Sequence, residues 1–436
     1  MISSGHHKFF RKPNRNWFIA ISLCGCVFCE SMAYTFVQQE GQTYYYSSSV
    51  LYVLAGILIC VLPLLGNNDA VLPTGNKSQF GRVLRVLFFG FLAAFFAFHV
   101  HVLIPLYHQI PISPKVADML PVIKLACNRL LTGQPVYAPT DEIWIGTVNA
   151  YLPMMWLPYV PAQIFGYDMR WTTVTLLFVS LFIAALPVFK AKYDLPVFPT
   201  LFAGISLFLA LNYFLTHGRD FWSMTEEGVV AAFYVFLAFA LIRGNYYLIG
   251  IAMGFCVLSR YALIPWIPTY LTFIFLTQPR KEFRKLFFTL SVIVLIVFII
   301  PYFIWDPFYF LSLPGIQLKN VDPFWRYNGL TDHTFFNVGL YKFFTIETAR
   351  LMGNIGLLTS FIAPAVFILF AQKFQKRYRL NGRYIGFGSL KLSLIFFYNF
   401  LPMPFSYLFF PLTLISYALL FDFISAPSGT ETAAPL

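Results

Sequence analysis

The sequence has 436 residues, 58% hydrophobic and 20% aromatic, with only 11% charged and a formal net charge of +12. A soluble domain carries roughly a quarter of its residues as charges, so the composition excludes a soluble enzyme and predicts an integral membrane protein. The positive excess would suit nucleic acid, but its placement along the chain gives it another meaning.

The basic N-terminal stretch MISSGHHKFFRKPNRN precedes an apolar run from Trp17 to about Gln38. No small-residue cleavage motif follows, so the run reads as a retained first helix rather than a signal peptide. Apolar runs long enough to cross, or nearly so, then fall at 48–65, 86–107, 172–189, 196–215, 228–242, 245–259, 262–277, 286–304, 351–372, 390–402 and 406–424. With 17–37 they predict an all-α fold of about twelve transmembrane helices. They form one polytopic domain over 1–424, with a short cytoplasmic tail at 425–436. Long alternating strands are absent, which excludes a β-barrel.

Glu30 stands alone inside the first run and is expected to make a helix-facing hydrogen bond. His99 and His101 are two apart, so on a helix they point in different directions; they read as interfacial residues of a helix end. The six cysteines, Cys24, Cys26, Cys29, Cys60, Cys127 and Cys256, make no C-x-x-C pair and predict neither disulfide nor zinc.

Cytoplasmic loops collect lysine and arginine. With the N-terminus inside, the inner segments hold two-thirds of the 30 basic residues, among them Arg82, Arg85, Lys190, Arg243, Arg280–Lys285, Arg383 and Lys391. Most of the acids fall in outer loops at 108–171, 218–228 and 305–350. The net charge is therefore a topology signal, and a nucleic-acid partner is not expected. The assignment requires that 149–171 fail to cross. Pro153, Pro158 and Pro161 break its helical bonding, and such backbone avoids lipid.

Within the first outer loop, Val116, Met119, Leu120, Ile123, Cys127, Leu130 and Leu131 follow helical spacing, with Lys124, Asn128 and Arg129 opposite. Gly133 and Pro135 stop this helix, whose apolar stripe is expected to lie in the membrane surface. Asp118 opens it, and a first-turn or capping acid is the plain structural reading.

The series Asp118, Gly133-Gln134-Pro135-Val136-Tyr137 and Tyr151-Leu152-Pro153, followed by Gly250–Gly254 running into Ser259-Arg260, resembles the GT-C superfamily of polytopic glycosyltransferases. That superfamily includes the polyprenyl-phosphate-sugar-dependent mannosyltransferases. The likeness runs loosely over most of the chain. It departs in having a single acid where many members show D-x-D or E-x-D, and in about two helices, rather than one, before the helix that leads into the Asp118 loop.

The resemblance implies an inverting transfer of a sugar, mannose among the candidates, from a polyprenyl-phosphate donor to a glycan, lipid or protein acceptor. Asp118 would be the general base, within about 3 Å of the acceptor hydroxyl and with its pKa raised by apolar surroundings. Arg260 would lead in holding the donor phosphate, since a charge abutting an apolar span is costly; a snorkelling arginine is the plain alternative. Arg219 comes second, with an ion pair to Asp220 as its alternative. Tyr137, Asp220, Trp325, Arg326, Asp332 and His333 would face sugar or acceptor, although Tyr137 also fits a structural role and the others an ordinary ordered loop. No metal site is assigned, and a divalent cation, Mg or Mn, stays an open option.

No G-x-S-x-G, H-E-x-x-H or phosphate loop after a strand is present. A transporter or flippase of lipid-linked saccharides, a lipid-linked glycan ligase or polymerase, and a purely structural membrane protein are the competing readings. The expected location is a bacterial inner membrane, with both termini cytoplasmic and the active site on the outer face.

Overall fold

The computed structural model describes residues 15–38, 42–66, 79–143, 148–191, 195–217, 222–305, 307, 309–311, 339–343, 346–378, 380–400 and 406–425. The regular elements among these residues are all helices, with no strand. Three helices open the chain: α1 (Arg15–Gln38), α2 (Gln42–Val61) and α3 (Gln79–Gln109). The amphipathic α4 (Met119–Leu131) follows, then the short α5 (Pro153–Trp156) and α6 (Val160–Phe165) joined by a 3-10 turn. Long helices resume with α7 (Arg170–Lys190), α8 (Val197–His217), α9 (Glu227–Arg243), α10 (Tyr246–Val257), α11 (Trp266–Thr277) and α12 (Arg280–Val294). The last continues as a π-helix over Leu295–Phe303. The bundle closes with α13 (Ile346–Tyr378), α14 (Ile385–Phe400) and α15 (Phe410–Ser425).

Every one of the twelve predicted spans coincides with a helix, but among the described residues seven helices are long and apolar enough to cross a membrane. They are Asn16–Ala33, Ser47–Leu65, Gly81–Gln109, Arg170–Lys190, Arg280–Phe303, Leu351–Gln375 and Tyr407–Ser425. This is the architecture of a helical membrane protein. The segment 153–165 is broken by Pro153, Pro158 and Pro161 into pieces far too short to span, as its prolines require.

Burial separates the spans sharply. Protein encloses 94% of the most apolar stretch of Tyr407–Ser425, against 11% for Arg280–Phe303. Helix α15 is therefore the axle of the bundle, packed on α9, α7, α1 and α8. Two polar networks pin it. Lys391 on α14 donates to Glu30 Oε1 (2.6 Å), Ser416 Oγ (2.7 Å) and Leu412 O (3.0 Å), while Ser416 donates to Glu30 Oε2 (2.8 Å). Beside it, the Tyr417 hydroxyl meets Ser31 at 2.8 Å and Ser206 at 2.9 Å. Glu30 thus makes its expected interhelical bond, but to a cation. Lys391, assigned above to an inner loop, is instead fully buried in α14, because Glu30 lies there to receive it.

His99 also departs from expectation. It is buried between α3, α7 and α8 against Phe95 and Phe178, its ring nitrogens facing Phe95 O at 3.0 Å and Leu211 O at 3.5 Å. His101, two residues on, is exposed.

The bundle has two distinguishable ends. At one, Arg383 donates to Asp422 (2.7 Å) and Ile242 O (3.0 Å), and Arg85 bonds Ala191 O. Lys190 and Arg243 terminate α7 and α9 at that same end, which is the clustering that the basic-residue pattern demands. At the opposite end stand Asp118, Arg170, the start of α9 and Arg260.

Candidate functional site

Helix α4 is placed first. Its C-terminus closes in a Schellman arrangement: Gly133, at φ 70°, donates to Leu130 O (3.2 Å) and Gln134 donates to Arg129 O (2.8 Å). The apolar stripe expected in lipid packs instead on the proline-broken 153–165 segment, burying Leu120, Ile123, Ala126 and Cys127. Val116, Leu130 and Leu131, counted in that stripe, are exposed. The difference arises because α5 and α6, which cannot cross, present an apolar roof to α4.

Asp118 sits in the capping position of α4, yet its side chain caps nothing. It is exposed, so the apolar enclosure expected of a buried base is absent among the described residues. Its carboxylate makes no hydrogen bond or ion pair among the described residues.

Tyr137 behaves otherwise. Its hydroxyl donates to Tyr151 O (3.1 Å) and accepts from Trp156 Nε1 (3.3 Å), and its ring packs against Tyr302 and Phe310. Engaged on both sides, it fastens the loop rather than offering itself to a sugar. This is the structural role weighed for it from the sequence.

Arg260 follows α10, and its height is set by a close seam. A side chain at Gly250 would strike Thr289 and the backbone of Leu286, and one at Gly254 would strike Ile293, so these glycines let α10 lie directly on α12. The 153–165 segment is tied to the same place, Met154 N donating to Leu258 O at 2.9 Å. From there Arg260 reaches the start of α9, donating to Glu226 Oε1 at 3.1 Å and contacting Glu227. Both glutamates are fully buried, while Arg260 keeps 23% of its side chain accessible. Two carboxylates therefore face the guanidinium, so Arg260 is ion-paired rather than simply snorkelling.

The acids are where the helix wants them. A carboxylate in a first turn is favoured by the helix dipole, and the Glu227 amide bonds Thr225 Oγ1 at 3.3 Å. Gly228 completes the arrangement, since a side chain there would run into Thr173 Cγ2 on α7. Thr173 in turn holds the Tyr159 hydroxyl at 2.7 Å.

Tyr151 joins these pieces. Burial pushes its phenol well above the ordinary range, reinforced by the negative charges of Glu226 and Asp118 and opposed by Arg260. Tyr398 also neighbours Arg260, and the Tyr407 hydroxyl reaches Met119 Sδ, beside Asp118, at 3.6 Å. Asp118 and Arg260, 142 positions apart in the chain, thus both bear electrostatically on the Tyr151 phenol. Glu226 Oε2 and Glu227 Oε2 have no hydrogen-bond partner among the described residues.

At the same end of the bundle, Arg170 fixes the end of α3. Its guanidinium binds both oxygens of Asp168, donates to Ile110 O (2.6 Å) and Tyr107 O (2.8 Å) at the end of α3, and lies 4.2 Å from the Tyr107 ring centre. These bonds tie the end of α3 to the start of α7, which makes Arg170 a fastener.

Arg219, Asp220, Trp325, Arg326, Asp332 and His333 lie outside the described residues. No group of three or more metal-ligating side chains occurs among the described ones. The Glu226–Glu227 pair was counted above only as outer-loop charge. The signal that singles it out is the one applied to Arg260, a charge abutting an apolar run, here doubled in EEGVVAAF.

No family model matches the sequence, and no characterised protein or solved structure matches it.

Proposed function

We propose that this chain is a GT-C-like membrane glycosyltransferase that moves a sugar from a polyprenyl-phosphate donor to an acceptor at the non-cytoplasmic face. The observation that supports the reading is that Asp118, Glu226 and Arg260 all act on the Tyr151 phenol, with Glu227 on the same guanidinium, at the end of the bundle away from Arg85, Arg243 and Arg383. A carboxylate free of structural bonds, beside buried acids and a guanidinium, supplies what an inverting displacement asks of a protein. A base takes the acceptor proton, and a positive group stands near the leaving phosphate. With the basic end facing the cytoplasm, the Asp118 end faces outward, where lipid-carried sugars are the available activated donors. About twelve helices would then cross or enter a bacterial inner membrane.

The deciding measurement is sugar transfer by purified protein from labelled polyprenyl-phosphate donors. Asp118→Asn abolishes transfer without changing the melting temperature if Asp118 is the base. Undiminished turnover removes it from that role. Outside-only labelling of cysteines placed at 118 and 281 fixes the side: 118 reacts and 281 does not.

A second reading, transport of a lipid-linked saccharide, draws support from one feature. The Glu30–Lys391 pair lies inside the bundle, and ionisable residues at that depth mark pathways in many transporters. Lipid-sugar flipping in liposomes without transfer would favour it.

A further inference from the structure

Helix α12 has two unlike faces. One is closed: Leu286 and Leu290 are buried, and Gly250 and Gly254 of α10 lie directly on Thr289 and Ile293. That seam fixes the rotation of the helix and turns its opposite face away from the bundle.

The outward face changes character along its length. Exposed Arg280, Lys281 and Arg284 open it, exposed Phe287 and Phe288 follow one turn later, and exposed Leu295 and Ile296 continue it. Steps of three, four, seven and eight residues keep these groups on one side of a helix. The three cations make no ion pair among the described residues. Glu282, the acid of this turn, is taken by Lys285 at 2.7 Å, and Lys285 also stands 5.6 Å from the Tyr247 ring centre. Alongside, the end of α11 presents exposed Phe275 and Leu276, with the Phe275 ring edge-on to Phe283 at 5.2 Å.

The dimensions set the depth of this face. Arg280–Phe303 has 24 residues, about 36 Å at ~1.5 Å per residue, against about 30 Å of hydrocarbon. From Leu286 onward the segment carries no charge, so the surplus length falls on its basic start. Three unpaired cations therefore stand at headgroup level, with aromatic rings just inside the hydrocarbon.

A ligand that matches this face is negative at one end and apolar along the helix axis beyond it. A soluble anion meets only the cations, and a neutral lipid meets only the rings. A nucleic acid or an acidic protein cannot follow the stripe into hydrocarbon. Guanidinium groups favour phosphate oxygens in bidentate geometry, and basic residues beside a membrane span attract anionic lipid.

We propose that the outward face of α12, flanked by the end of α11, binds an anionic diacyl phospholipid. Arg280, Lys281 and Arg284 hold its headgroup phosphate, and its chains run over Phe287, Phe288 and Leu295. The site requires that the bundle cross a membrane and is independent of the glycosyltransferase reading.

The test is lipid retention by the purified full-length protein, read by native mass spectrometry. The probes are phosphatidylglycerol, phosphatidylcholine with the same chains, a polyprenyl phosphate and inorganic phosphate. Phosphatidylglycerol is retained at least about tenfold over phosphatidylcholine, and Arg284→Gln removes about fivefold of that preference, the contribution of one cation at an anionic surface. The triple variant R280Q/K281Q/R284Q abolishes it. Lys190→Gln, which removes an exposed cation from the same end of the bundle at the end of α7, leaves it unchanged. Equal retention of the two phospholipids by the unaltered chain overturns the proposal. So does a loss in Lys190→Gln as large as in Arg284→Gln, which would show a diffuse field rather than a site. Tighter retention of the polyprenyl phosphate, or complete displacement of phosphatidylglycerol by millimolar inorganic phosphate, overturns the diacyl lipid as occupant. If the triple variant fails to fold, Arg284→Gln still decides, because it alters one exposed and unpaired side chain.

Discussion

Two buried acid–base clusters in this protein use the same residue types and come out differently. In the middle of the bundle, Glu30, Lys391 and Ser416 form a closed set: one negative charge meets one positive, and the three ammonium protons go to Glu30, Ser416 and Leu412 O. At the Asp118 end, two glutamates share one arginine, and two carboxylate oxygens go without a hydrogen-bond partner among the described residues. A closed set holds helices in register. An open one is destabilising as it stands. Burial alone does not tell structure from function; the balance of charges and donors does.

The contrast breaks most visibly in Lys391→Met. Removing the cation strands Glu30 among α1, α14 and α15, at a cost of about 3–5 kcal/mol, read as a fall in melting temperature or in folded yield. The double variant Glu30→Gln with Lys391→Met recovers most of that loss. If Lys391→Met alone unfolds no more easily than the unaltered chain, the central triad is not the fastener described here.

Next comes the helix approach that sets the open cluster. Gly228→Ala forces a methyl into Thr173 Cγ2, an overpacking expected to cost about 1–3 kcal/mol. Thr173→Ser in the same chain restores stability, because serine lacks that methyl and keeps the hydroxyl bonded to Tyr159. Failure of the pair to compensate would mean that α7 and α9 meet elsewhere.

The sharpest comparison matches the same change at the two clusters. Glu30→Gln removes the charge that Lys391 needs and is clearly destabilising. Glu227→Gln relieves an excess charge and leaves stability within about 1 kcal/mol of the parent, or raises it, since exchanging an uncompensated buried charge for a neutral amide lowers the desolvation penalty. Chemical denaturation of the two variants side by side reads the difference. Equal losses would erase the distinction between closed and open. The smallest effect on stability belongs to Asp118→Asn, within about 0.5 kcal/mol because the side chain is exposed and caps nothing. The same variant carries the largest expected loss of transfer.

Local features of this fold were readable in the sequence and long-range ones were not. Each apolar run became a helix, Gly133 and Pro135 ended α4, and three prolines kept 149–171 from crossing, all because neighbouring residues determine them. The partner of Glu30 lies 361 positions away, and no spacing rule connects them. A lysine in a helix that opens next to Arg383 looks like a loop cation until its neighbour in space is known. The burial of the α4 stripe depended likewise on what α5 and α6 would do with their unpaired apolar surface. At the site, Arg260 and Asp118 were legible as costly or oddly placed charges, and their shared bearing on Tyr151 was not. The Glu226–Glu227 pair was within reach of the same reasoning, since two acids abut an apolar run there.

Helix α15 has a consequence for how the molecule is made. It is the last of the described helices to leave the ribosome and also the most enclosed, so the thirteen hundred or so ångströms of chain translated before it must keep a vacancy along the axis. Until α15 arrives, Lys391 and Glu30 face that vacancy with Ser416 missing, and lipid tails or water must fill the gap. Assembly therefore ends by threading a core rather than by adding a periphery, and a chaperone or insertase that shields the open groove would act at that step.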